Sequence, residues 1–108
     1  MSIENKAKEL AETIKQTEEF EALKSAEARI QLDPNAQDII NRLRETQEKI
    51  QMAQQMGRPV SRDDIKELQD IHNQMQVNIT LKNFIKAQED FNEVMQKVNR
   101  AITESLTE

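Results

Sequence analysis

Apolar residues along this chain recur three and four positions apart, the period of an α-helix. Ile3, Ala7, Leu10, Ala11 and Ile14 share one helical face. If that helix simply continued at about 100° per residue, Phe20, Leu23 and Ile30 would point to its other side. The phase breaks near Lys15-Gln16-Thr17. Thr17 suits a helix N-cap, and Glu18 and Glu19 suit the positive end of the helix dipole. The pattern therefore predicts two helices, over 3–15 and 18–31, meeting at a kink or tight joint.

The stretch that follows organises the rest. Asp33 can cap free N–H groups, and Pro34 fits a first helical position. Ala36, Ile39, Ile40, Leu43 and Ile50 then repeat at helical spacing, and Gly57 stands where a left-handed cap residue is expected. A helix over 34–56 would be about 35 Å long, which is long for so small a chain. Gln47 and Gln54 fall on the same arc as Ile40, Leu43 and Ile50, so a helix–helix seam that fixes register is one reading and a half-exposed edge is the other. Met52 and Met56 point to the opposite side.

Gly57-Arg58-Pro59-Val60 reads as the clearest loop. Ser61, with Asp64 three positions on, opens a fourth helix whose apolar face holds Ile65, Leu68, Ile71, His72 and Met75. Asn78 is the next cap, and the last helix is expected over 79–106. Its apolar residues, among them Phe84, Phe91, Val98 and Ile102, cover about half its circumference, wider than one neighbour needs. Lys86 with Asp90, Glu93 with Lys97, and Arg100 with Glu104 alternate charge along the rest.

Composition sharpens this picture. One Gly and two Pro among 108 residues leave few turns, so the chain is read as a handful of long helices in a single domain, 1–108. The expected class is all-α: an elongated bundle of about five helices, two short ones first, then a long central one, a fourth, and a long C-terminal one. With only 36% hydrophobic residues, such a chain buries little surface alone, so a dimer is expected. The candidate interface sets Phe84, Phe91, Val98 and Ile102 against Leu43, Gln47 and Ile50. Met52 and Met56 are candidate contacts for a partner, since flexible thioethers suit adaptable surfaces.

Candidate chemistry is sparse. There is no cysteine, which excludes disulfides, thiolate-held clusters and cysteine nucleophiles. His72 is the one histidine, and Leu68 and Gln76 stand where a helical metal site would place its second ligand. No serine carries an elbow or a Gly-rich oxyanion loop, and one glycine cannot build a phosphate cradle. The chain is therefore read as no enzyme, with no metal and no cofactor. Arg58, Arg62 and Lys66 could form a basic strip, but the net charge of -5 gives no bias toward nucleic acid or anionic membrane. No apolar run approaches a membrane span, and the expected location is the cytoplasm.

Taken in order, these motifs resemble the YlbF/YheA/YmcA family of small helical bacterial proteins. The matching residues are Glu9-Leu10-Ala11 with Ile14, Glu19-Phe20, Leu23-Lys24, Ala26-Glu27 and Asp33-Pro34-Asn35-Ala36-Gln37. They continue through Gln47, Gln51, Gln54 and Gly57 to Ala87 and Phe91. The likeness points to the YheA-like branch. It implies a helical, dimer-forming fold without a catalytic centre. Some relatives regulate competence, sporulation and biofilm development, in a complex that affects phosphorelay signalling and RNA maturation. Certain relatives also give cysteines to Fe–S clusters, a cofactor that does not carry over here. Asn78-Ile79 keeps the cap but lacks the proline that often follows it in the family pattern.

The expected function is thus a non-catalytic helical interaction protein, a regulatory adaptor that pairs with itself and with other helical proteins. The alternatives are an RNA-associated factor using the basic strip, and a chaperone-like holder of unfolded chains using Met52 and Met56.

Overall fold

A computed structural model describes residues 2–107. It contains five helices, and no strand occurs among the described residues: α1 (Ile3–Lys15), α2 (Glu18–Gln31), α3 (Pro34–Gln55), α4 (Arg62–Val77) and α5 (Ile79–Leu106). The all-α reading and its five helices stand, and α3 ends one residue earlier than the sequence pattern implied.

Each boundary has a local cause. The Thr17 hydroxyl donates to the Ile14 carbonyl at 2.7 Å and accepts the Phe20 N–H at 3.2 Å, so one side chain ends α1 and starts α2. The Asp33 carboxylate accepts the N–H groups of Asn35 and Ala36, both at 3.1 Å, ahead of Pro34 at the first helical position. Ser61 accepts the Asp64 N–H at 3.1 Å, and Asn78 accepts that of Leu81 at 2.9 Å. At the end of α3 the Arg58 N–H reaches the Ala53 carbonyl (2.8 Å) and the Gly57 N–H reaches Gln54 (3.2 Å). This is a Schellman cap, and Gly57 adopts the positive φ of 70° it requires.

The chain packs as two compact units. The second unit, Arg29–Lys82, is built on an α3–α4 hairpin. Its buried residues include Ile30, Ala36, Ile39, Thr46, Ile71 and Leu81. On α3 the inward stripe runs Ala36, Ile39, Leu43, Thr46, Ile50 and Ala53, alternating steps of three and four. Thr46 and Ala53 occupy the places that Gln47 and Gln54 share on the expected arc, and both glutamines are exposed. The rotation is small, but it moves the polar pair out of the intrachain seam.

The other unit comprises, among the described residues, 2–28 and 83–107. Here α2 meets α5. The rings of Phe20 and Phe91 pack edge to face, centroids 5.6 Å apart at 61°, and Ala26 and Ala87 are buried. Lys24 places its ammonium 5.5 Å from the Phe20 centroid, a cation–π distance.

Candidate interaction surfaces

Arg42 is the polar centre of the hairpin. Its Nε donates to Glu67 Oε1 at 2.9 Å, and Nη2 joins the same oxygen. Nη1 reaches Gln74 Oε1 and Nη2 reaches Asp70 Oδ2, both at 3.0 Å. Gln74 closes the ring by donating to Asp70 at 2.9 Å. The hydrogen bond to Glu67, then that to Asp70, raises the Arg42 pKa above its ordinary value. The sequence reading missed this cluster. Glu67, Asp70 and Gln74 do share one face of α4 by their spacing, but nothing local says that Arg42 stands opposite.

A second polar group stands at the start of α3. The Thr80 side chain is the main cause of a lowered Asp33 pKa, followed by the Ala36 N–H. Gln37 donates to the carbonyls of Gln31 (2.8 Å) and Ile30 (3.3 Å), closing the end of α2.

The sequence-derived candidates lie as follows. Phe84, Phe91 and Val98 on α5 are half-buried, and Ile102 is 48% exposed. Leu43 and Ile50 are half-buried on α3, with Gln47 exposed. Met52 and Met56 are 64% and 62% exposed, and Met52 borders a shallow groove of about 250 Å³ with Glu45, Glu48 and Lys49. Arg58, Arg62 and Lys66 are all exposed, with Asp63 exposed and Asp64 half-buried among them, so the charge there is mixed. His72 is exposed, although its spacing placed it on the apolar face. A groove of about 330 Å³ between α2 and α5 has Ala22 and Val94 in its lining, with Glu18, Glu19, Asp90, Glu93 and Lys97. Of the three charge pairs expected along α5, Lys86–Asp90 is formed at 3.2 Å.

Among the described residues, no group of three or more histidines, cysteines or carboxylates could hold a metal ion. Among the described residues, no helix is long and apolar enough to cross a membrane. What the surface offers is helix faces and exposed large apolar side chains, Met52 and Met56 among them.

The chain belongs to a family of regulators, described as control of competence regulator ComK, YlbF/YmcA, whose sequence pattern matches residues 3–107. Its curated relatives carry the name UPF0342, the YheA group, as the resemblance implied. The Lactobacillus helveticus UPF0342 protein is 26% identical over 108 residues, covering 100% of this chain and 93% of the relative. The Staphylococcus saprophyticus one is 22% identical over 102 residues, 94% of this chain and 90% of the relative. Among solved structures, Bacillus subtilis RicA, crystallised in complex with RicF, superposes with a TM-score of 0.78. The match spans 97% of this chain and 93% of RicA at 22% identity, a likeness of fold.

Proposed function

We propose that this protein is a non-catalytic regulatory adaptor of the cytoplasm, acting as a homodimer and binding other helical proteins. The observation that carries this reading is the number of large apolar side chains that long, well-capped helices leave in water, among them Met52, Met56, Ile102 and Leu106. Membership in a family of competence regulators supports it. The similarly folded RicA, a protein crystallised with a protein partner, supports it too. We assign the edges of Phe84, Phe91, Val98 and Ile102 on α5 that the chain's own packing leaves open, with Gln47 and the open edges of the half-buried Leu43 and Ile50 on α3, to the dimer interface. Apolar helix faces of this kind pair in symmetric dimers that bury roughly 2,000 Å² or more.

Affinity capture of the tagged chain from its native cell extract, with cross-linking, tests the adaptor reading. It should return a discrete protein partner, lost when Met52 and Met56 are replaced by Lys. Reproducible turnover of a substrate by the pure protein would overturn it. The exposed strip of Arg58, Arg62 and Lys66 gives the RNA reading its own test. Salt-dependent RNA binding, abolished by charge removal at these three positions, would favour RNA instead.

A further inference from the structure

α1 is a complete helix without a buried residue. Ser2 caps it by accepting the Asn5 N–H at 3.0 Å, yet none of its 13 residues is buried. Ile14 is half-buried, while Ile3 is 86% and Leu10 38% exposed. Isolated helices shorter than about 12–15 residues are marginal in water, so this one needs a cover for its apolar face.

The face itself indicates what covers it. Ile3, Ala7, Leu10 and Ile14 are spaced four, three and four residues apart, an order that reads the same in both directions. An antiparallel copy of α1 therefore meets it in register. Ile3 would lie opposite Ile14 of the second copy, and the small Ala7 opposite the large Leu10. One charge pair follows the same rule. Glu4 and Lys15 lie about 20° apart around the helix axis, on one flank of the stripe. In an antiparallel pair like flanks face each other, which sets Glu4 beside Lys15 of the second copy, twice over. In a parallel pair that flank would face the opposite one, and the match would be lost. Lys15 reaches Glu12 at 3.5 Å in an exposed pair, so its ammonium is free to change partner.

We propose that α1 pairs antiparallel with α1 of a second copy of this chain. The pairing rests on the homodimer reading above and adds a surface outside α3 and α5. A face complementary to itself under twofold rotation is what an isologous contact requires.

The chain has no cysteine, so engineered thiols report cleanly. Positions 3 and 14 of one chain lie about 16 Å apart along α1, beyond the reach of a disulfide. The double variant Ile3→Cys/Ile14→Cys should form a covalent dimer under mild oxidation, and either single variant should form almost none. Single variants that cross-link as well as the double would overturn the antiparallel register. A chain that sediments as a dimer but gives no cross-link would overturn the α1 contact and leave the dimer standing. A monomeric wild type would remove both. As a second readout, Glu4→Lys and Lys15→Glu should each raise the dimer dissociation constant roughly tenfold, and their combination should restore it. Single exchanges without effect would count against the contact.

Discussion

Arg42 on α3 holds Glu67 on α4 through two guanidinium nitrogens converging on one carboxylate oxygen, one of them at 2.9 Å. This bond spans the hairpin, and it uses the fork geometry of arginine. Arg42→Leu is expected to lower the melting temperature by several degrees. Arg42→Lys should recover part of the loss, because an ammonium can meet one carboxylate but not the whole set. Circular dichroism melts check this order, and a leucine variant as stable as wild type would refute the clamp.

Gly57 sits at φ 70° with nothing within 4 Å of an added Cβ. A side chain there meets backbone strain and no clash. Gly57→Ala should therefore cost about 1 kcal/mol, and Gly57→Asn less, since asparagine tolerates the left-handed region. Urea unfolding measures both, and equal costs would place the cause elsewhere.

Phe20 and Phe91 pack edge to face across α2 and α5. A double-mutant cycle to alanine should give a coupling of about 0.5–1.5 kcal/mol. Phe91→Asp should impair folding and association together, because a carboxylate would be desolvated without a partner. Sedimentation of the wild type decides the dimer. A stable, fully helical monomer at micromolar concentration would sink it.

Asp33 has a pKa lowered below its ordinary value of 3.8, first by the Thr80 side chain and then by the Ala36 N–H. The fold favours the carboxylate, so this contribution is fully present above the ordinary value. It is lost as pH falls below 3.8 toward the depressed folded value. An Asp33→Asn variant would keep a cap oxygen at this position without titrating. Wild type should melt higher than the variant at neutral pH, with the gap closing on acidification. A gap independent of pH would show that the charge does not matter.

Met52 and Met56 are one turn apart and largely in water. Met52→Lys/Met56→Lys should leave the helical signal and the melting temperature nearly unchanged while abolishing partner capture. Loss of helix on substitution would mean that the pair supports the fold itself.

Helix existence, type and ends were legible in the chain because they are decided locally. Thr17, Asp33, Ser61 and Asn78 each bond an N–H two or three residues away, and Gly57 ends α3 through its own backbone freedom. The family was legible for the same reason, since its pattern consists of caps and helix faces in order. Tertiary structure decided what those faces meet. Leu43 and Ile50 belong to two neighbouring arcs of α3, and the fold buries the one through Thr46 and Ala53, leaving Gln47 and Gln54 exposed. Arg42 gained its role from residues 25 to 32 positions away, a pairing set by how α3 and α4 align. The stripe of α1 was legible as one apolar face, yet none of its residues is buried. Periodicity states that a face is apolar, and only the fold of the chain states whether that face is covered.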